Sequence, residues 1–517
     1  MKNKSLIKLI KIIPFIPLLL YLGKRSLVAY DEGFYALQSR WILENNNWIA
    51  PYWWGNIYVD RTIGIQYLLA LSQKIFGGSF FSMYIPNLIG GSLILFFTYK
   101  IHKEILNHKN AIISPLILAT TYLWINYYHM ATQDIIFSSL VCIGIFSAIK
   151  SYKSKSKFFF TLSGGWIGLA FMMKTYLVCI PFLGFLPFYI KNNNFKNKFF
   201  YLGFLIGFLP FFMWSFQLIS IYGLESFNGL FSKFITLSKN NNFTNPFYYY
   251  LWNLPLNTFP WFVFYLMGIY KVFNFKSYLN KYFLLYFPFI IIFSLSFFST
   301  KTPYYTLQIL PLLSINAYIG INYIFSQENN LTRNFKKIIF ILFPSILIIS
   351  LLYINNFVIF DELYKDMKLL INFSLCLFIF SWISIPFIKK INKRIILTIL
   401  GPYLLFTIFV QTGTLSDRSR DIRLASNYVI KKEMLKNQEI NFITEGIKDP
   451  YTTKQLIKIS LFMPKIGNGI KNVESLEFNQ YAWTCLNEKD LEEKITFKLI
   501  YKDPVLSPWK LIYKNKD

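Results

Sequence analysis

Residues 31–53 read DEGFYALQSRWILENNNWIAPYW: an acidic pair, an aromatic pair, an amphipathic helical run, and a Trp-Ile-Ala-Pro segment. The stretch follows an apolar run at 6–22 that can enter a membrane. Carboxylates close to hydrocarbon are costly unless they are paired or used. What surrounds Asp31 and Glu32 therefore decides how the rest of the chain is read.

Composition sets the solvent. The chain has 517 residues, of which 54% are hydrophobic, 20% aromatic and 15% charged, against roughly 25% charged residues in soluble domains. Apolar runs recur to residue 412, and they are read as thirteen spans: 6–22, 80–99, 111–128, 132–149, 158–172, 174–190, 198–220, 256–273, 281–299, 304–325, 336–357, 368–388 and 394–411. Lys and Arg near span ends mark the cytoplasmic side. With the N-terminus inside, the cytoplasmic segments hold 24 Lys/Arg and two acids, and the external ones up to residue 412 hold 11 Lys/Arg and nine acids. The fold expected is thus a polytopic α-helical membrane protein with a cytoplasmic N-terminus. The lysines before the first span resemble a signal peptide, but without a small-residue cleavage site the segment reads as a retained anchor.

The net charge of +28 belongs mostly to cytoplasmic loops, so it marks topology and not nucleic-acid binding. No internal repeat is visible. Cys142, Cys179 and Cys376 fall in spans and Cys485 outside them, which is no disulfide framework. Residues 1–412 are expected to form the transmembrane domain. Its first external loop, 23–79, carries two interfacial helices at about 32–45 and 63–76. Residues 413–517 hold 14 of the 25 acids, one amphipathic helix (RDIRLASNYVIKKEMLK) and alternating segments (INFITEGI, ITFKLIY, WKLIY). They are expected to form a small external α/β domain.

Asp31 also reads as the N-cap of the helix that follows, with Glu32 favourable in its first turn. Other ionisable residues share that side: Asp60 and Arg61 in YVDRTIG, Asp134 in YYHMATQDIIF, Lys174 in FMMKTYL and Lys301 in STKTPYY. Each alone also reads as an interfacial anchor or a snorkelling side chain.

Together these residues resemble the GT-C class of membrane glycosyltransferases, close to the bacterial aminoarabinose-transferase and protein O-mannosyltransferase type. The opening stretch is similar to that family's first-loop signature. GLAFMMKTYLV is similar to its Gly-Leu stretch ending in Lys, and TKTPYYTLQILPLLSI to its basic-x-Pro-Tyr-Tyr segment entering a span. VDRTIG departs from the acidic-Lys-Pro-Pro run of many relatives: it keeps the charges and lacks the prolines. The resemblance implies a polyprenyl-phosphate-linked sugar donor and a lipid, glycan or protein acceptor at the external (periplasmic) face of the bacterial inner membrane.

It also implies roles. Asp31 would be the base of an inverting displacement, with Glu32 and Asp134 as further catalytic carboxylates. Lys301 and Arg61 would clamp the donor phosphate, with Lys174 as a third cation, and Asp60, Tyr304 and Tyr305 would bind substrate. Relatives in the aminoarabinose group bind a metal through an acidic residue and a histidine. Here His102 and His108 fall on the cytoplasmic side and only His129 is external, so no ligand set is read and a divalent metal stays open. Two readings from other classes are a flippase of lipid-linked intermediates and a scaffold. A flippase expects ionisable residues near the midplane and repeated halves, whereas these charges collect at the outer boundary.

Overall fold

Backbone polar groups in hydrocarbon have no water to bond, so an apolar run that crosses must satisfy them internally, as a helix does. The computed structural model describes residues 11–25, 27–30, 32–106, 110–239, 244–357, 365–415, 417–447, 449–492 and 497–515, and the apolar runs within them are helical. The first loop contains α1 (Glu32–Glu44), an antiparallel ribbon of β1 (Tyr52–Trp53) and β2 (Asn56–Ile57), and α2 (Gly64–Phe76). There follow α3 (Phe80–Leu106), α4 (Gln133–Ser154), α5 (Lys157–Lys174), α6 (Cys179–Lys191), α7 (Lys198–Tyr222), α8 (Phe262–Val272), α9 (Leu310–Ser326), α10 (Asn330–Lys337) and α11 (Ile391–Gln411).

Among the described residues, nine helical stretches are long and apolar enough to cross a membrane. One of them, Lys157–Lys191, holds two of the thirteen expected spans. Its two limbs, α5 and α6, run antiparallel. The Ser163 hydroxyl and Trp166 Nε1 donate to the Tyr189 hydroxyl at 3.0 and 3.1 Å, and the Trp166 and Phe185 rings lie 4.8 Å apart. The reversal falls at Thr175, whose φ of 45° is rare for a β-branched residue.

Two expected spans are shorter than anticipated, and of a third, 6–22, residues 6–10 lie outside the described residues. The 111–128 run breaks into Ile113–Ala119 and Tyr122–Tyr127. There the Thr120 and Thr121 hydroxyls donate back to the Leu116 and Ile117 carbonyls, and the Tyr122 N–H bonds the Phe259 carbonyl instead of its own helix. The 256–273 run retains α8, and in 6–22 the described helices are Ile13–Phe15 and Ile16–Leu19.

Between spans there is no hydrophobic drive, so close packing of small residues has to hold helices together. Gly164 and Gly168 on α5 face Gly203 and Gly207 on α7. A Cβ on Gly203 would sit 1.8 Å from the Thr161 carbonyl oxygen, and one on Gly164 would sit 2.0 Å from that of Phe200. Helices α8 and α9 cross in the same way, with Gly268 on Asn316 and Gly320 on Phe264.

Near the C-terminus come helices α12 (Arg420–Lys432) and α13 (Pro450–Phe462) and the mixed five-stranded sheet β4-β3-β5-β7-β6. Its strands are β3 (Glu439–Ile443), β4 (Lys465–Ile470), β5 (Tyr481–Thr484), β6 (Phe497–Lys502) and β7 (Lys510–Lys514). β3 is parallel to β4 and β5, and β7 is antiparallel to β5 and β6. The amphipathic helix and all three alternating segments read from sequence are present as α12, β3, β6 and β7. Asp449 starts α13 by accepting from the Thr452 N–H at 2.8 Å.

Gly203→Leu is expected to abolish the α5–α7 contact and remove the folded protein from detergent extracts, because overpacking against backbone has no rotamer escape. Gly78→Ala, where a Cβ meets nothing within 4 Å, is expected to leave the thermal midpoint within about 2 °C of wild type, as for a surface change of under 0.5 kcal/mol. Size-exclusion profiles and thermal melts of both proteins check this.

Candidate functional site

The first turn of α1 explains the acidic pair in part. Asp31 lies outside the described residues. Glu32 is fully buried, and both of its oxygens accept hydrogen bonds. Arg25 Nη2 donates to Oε1, the Val28 N–H to Oε2 at 2.9 Å, and the Ala131 N–H to Oε1 at 2.7 Å. Arg25 is 2% exposed, and its guanidinium lies 4.6 Å from the Tyr84 ring centre. Glu32 thereby ties the start of α1 to the loop that leads into α4, three residues before Asp134.

Asp134 and Lys174 form a buried ion pair. The Lys174 ammonium also lies 5.1 Å from the centres of both the Tyr304 and Tyr305 rings and 5.5 Å from that of Phe137. Four sequence-predicted residues thus meet at one point. The aromatic faces and the carboxylate compensate a charge that would otherwise be costly at this depth.

The Asp60–Arg61 pair joins from the side. Arg61 donates to both Asp60 oxygens, from Nε at 2.8 Å and Nη2 at 2.6 Å, and Nη1 donates to the Tyr35 hydroxyl one turn along α1 from Glu32. The segment that follows Arg61 packs on the end of α5. The Thr62 hydroxyl reaches the Phe171 carbonyl at 3.4 Å, and a Cβ on Gly64 would lie 2.3 Å from that of Met172, two residues before Lys174. Beside Asp60 opens a cavity of about 560 Å³, lined also by Tyr58, Tyr222, Glu225 and Ser232.

Lys301 is three residues before Tyr304. It is 5% exposed, and its ammonium donates to the carbonyls of Asn245 at 2.7 Å and Phe298 at 2.6 Å. Both partners are neutral, and burial pushes its pKa down. Among the described residues no carboxylate pairs with it, and a buried cation in that state is electrostatically unfinished.

His129 is buried, with Nδ1 3.2 Å from the Ile125 carbonyl oxygen. His102 bonds the Ser114 hydroxyl at 2.7 Å, and His108 lies outside the described residues. Among the described residues no three His, Cys, Asp or Glu side chains come together as metal ligands.

Arg25, Tyr35, Phe137 and the Asn245 carbonyl were not anticipated. Arg25 in GKRSL reads in sequence as part of a basic flank, and nothing local marks it as the partner of Glu32. The C-terminal sheet reaches the site through α1. Gly33 packs on Ile457 of α13, and Arg40 Nη1 and Nη2 donate to the carbonyls of Met463 and Pro464, each at 3.0 Å.

Comparison with known proteins bears on the fold and on part of the sequence. The family model described as dolichyl-phosphate-mannose-protein mannosyltransferase matches residues 60–215. Undecaprenyl phosphate-alpha-4-amino-4-deoxy-L-arabinose arabinosyl transferases are 25% identical over 181 residues in Pseudomonas savastanoi and 31% identical over 196 residues in Wigglesworthia glossinidia brevipalpis. The matches span 34% and 35% of this chain, and 34% of each relative's own length. The crystal structure of ArnT from Cupriavidus metallidurans bound to undecaprenyl phosphate superposes with a TM-score of 0.75 at 12% identity, covering 98% of this chain and 96% of that one. Its apo structure gives 0.75 at 11% identity over 99% and 98%. The chain therefore has the GT-C fold as a multi-pass membrane protein. Within that class it resembles the aminoarabinose transferases.

Replacing either Arg25 or Glu32 by Ala is expected to cost about 3–5 kcal/mol, the cost of stranding one member of a buried pair. The double variant is expected to be less destabilised than the two single changes summed, since neither charge is then left alone. Thermal midpoints of all four proteins in one detergent test this.

Proposed function

We propose that the chain is an integral membrane glycosyltransferase that moves a sugar from a polyprenyl-phosphate donor to a lipid, glycan or protein acceptor at the external face of a bacterial inner membrane. Lys301 carries the reading. Its buried ammonium, held by two neutral carbonyls and adjacent in sequence to the Tyr304–Tyr305 pair, needs an anion to complete it, and a lipid-borne phosphate at the membrane boundary supplies one. In support, the ArnT structure of the same fold is described as bound to undecaprenyl phosphate.

In the reaction an acceptor hydroxyl oxygen attacks the sugar C1 as a carboxylate removes its proton. The C1–O bond to phosphate breaks, and its electron pair stays on the departing phosphate. Asp31 is the proposed base. Glu32, the other half of the pair, is fully buried and accepts from Arg25 and two backbone N–H groups, so it positions the start of α1. Asp134 is the further carboxylate and holds Lys174 in place. Lys301 and Arg61 face the charge that develops on the leaving phosphate, and Lys174 adds a third cation. Arg61 uses three of its five N–H groups on Asp60 and Tyr35, which leaves two for phosphate. Asp60, Tyr304 and Tyr305 line the substrate, and the cavity beside Asp60 admits the acceptor. The 24-to-11 division of Lys and Arg places the N-terminus in the cytoplasm and the C-terminal sheet outside.

Asp31→Asn keeps the capping ability and removes the base. It is expected to fold, retain donor and lose about 10²- to 10⁴-fold in turnover. Turnover of the purified variant within a few-fold of wild type, at equal thermal midpoint, would overturn the assignment. Lys301→Ala is expected to raise the donor concentration for half-maximal rate by at least about tenfold, as for loss of a charge-assisted contact of roughly 1.5–3 kcal/mol. Unchanged donor dependence would return Lys301 to a purely structural role. A reporter active only outside the cytoplasm should work when fused after residue 412 and be silent at Lys155; reversed signals would invert the orientation.

A further inference from the structure

A second cluster of cations lies at the opposite end of α9 from Tyr304 and Tyr305. There a cavity of about 260 Å³ is lined by Arg333, Lys336, Lys337 and Arg394, with Glu328 as the one carboxylate and Phe325 and Phe340 among its apolar walls. These groups come from the C-terminal end of α9, from α10 and the turn of helix after it, and from the first turn of α11. Among the described residues no ion pair engages any of the four cations, so four positive charges converge against a single negative one.

The frame around them is built. Asn329 caps α10 by accepting from the Thr332 N–H at 2.9 Å, and the Thr332 hydroxyl and Lys336 Nζ both donate to the Gln327 carbonyl, at 3.0 and 3.2 Å. Arg394 Nε donates to the Ile388 carbonyl, and the Phe325 and Phe340 rings stack with centroids 5.6 Å apart. Phe340 lies in the π-helical turn Ile338–Leu342, a form of helix often found at functional sites. On its outer side the cavity meets exposed apolar residues: Ile341 is 55% exposed, and Phe387, next to Pro386 in the wall, is 84% exposed.

We propose that this cavity binds the phosphate headgroup of an anionic phospholipid, in the leaflet opposite the transfer site, with its acyl chains lying along Ile341 and Phe387. The volume is below the roughly 300–1,000 Å³ of drug-sized pockets, which suits a headgroup whose tails remain outside. A basic loop that only marks membrane side needs neither a walled cavity nor arginines in its lining that no ion pair engages among the described residues. Clusters of Lys and Arg at the end of a span attract anionic headgroups, and Arg adds forked contacts to phosphate oxygens.

The test uses the full chain in phosphatidylcholine nanodiscs, titrated with phosphatidylglycerol of matched acyl chains and followed by native mass spectrometry and thermal melting. Wild type is expected to retain one phosphatidylglycerol saturably and gain thermal stability. Arg333→Gln/Lys337→Gln, which removes two cations with no ion pair to lose, is expected to bind it at least about tenfold more weakly. Equal retention by both proteins overturns the proposal. So does equal stabilisation by millimolar inorganic phosphate, which would make this a free-anion site, and so does retention of polyprenyl phosphate in place of phosphatidylglycerol. A photoactivatable phosphatidylglycerol on wild type tests the site without any variant. Crosslinks within 325–341 or 385–394 support the proposal, and crosslinks spread evenly over lipid-facing helices overturn it. Neither readout depends on glycosyl transfer, so the proposed activity and this site stand or fall separately.

Discussion

A buried carboxylate must have its charge compensated, and Glu32 places that demand on two separate pieces of chain. Arg25, the backbone at Val28 and the backbone at Ala131 have to converge before α1 can begin. Once they do, α1 has one position, and the rest of the first loop is measured from it. Gln38 accepts from Gln66 at 2.9 Å, and Ser39 from Gln73 at 2.8 Å, fixing α2 alongside. Tyr35 takes Arg61, and Arg40 takes the end of α13. One thirteen-residue helix thereby sets the spacing between the membrane core, the aromatic ribbon and the C-terminal sheet.

The charges sort by end of the bundle. Asp134, Lys174, Asp60 and Arg61 gather at one end, and Glu104 pairs with Lys150 and Lys153 at the other. This is the division that the alternating loop charges suggest. At the first end Lys174 and Arg61 are compensated by rings and carboxylates, as charges held near hydrocarbon must be, while Lys301 has only carbonyls. At the second they outnumber their partners.

The fold was legible wherever it depended on local pattern. Length and hydropathy marked the crossings, and amphipathic or alternating order marked α1, α2, α12 and three strands of the sheet. Legibility stopped where structure depends on partners distant in sequence. Hydropathy could not show that Thr120 and Thr121 turn back on their own helix, nor that Arg25 leaves its basic flank for a buried carboxylate. β5 has only four residues, and β4 (KIGNGI) is Gly- and Asn-rich and poor in the β-branched and aromatic residues that mark a strand. For the site, residue type and side of the membrane were enough to nominate Asp134, Lys174, Tyr304 and Tyr305. Their meeting around one ammonium could be seen only in three dimensions, because it joins helices 40 residues apart at Asp134 and Lys174 to a segment well over 100 residues further on. The VDRTIG segment shows the reverse case: without the relatives' prolines its charges still pair with each other, since Asp60 and Arg61 are adjacent and need no special loop.

The hairpin of α5 and α6 bears on how the chain is made. At about 1.5 Å per residue, the thirteen residues of α6 rise only about 20 Å, short of roughly 30 Å of hydrocarbon. Alone, that limb is a weak passenger for the insertion machinery. Its Tyr189 and Phe185 find partners on the limb made just before it, so the two enter the bilayer best as one unit. With the N-terminus in the cytoplasm, as proposed, the lysine at the tip has to be carried across during synthesis, before Tyr304 and Tyr305 have left the ribosome, with Asp134 already present to shield it. The order in which these residues occur along the chain is therefore also an order of delivery: the counter-charge first, the cation next, and the aromatic walls last.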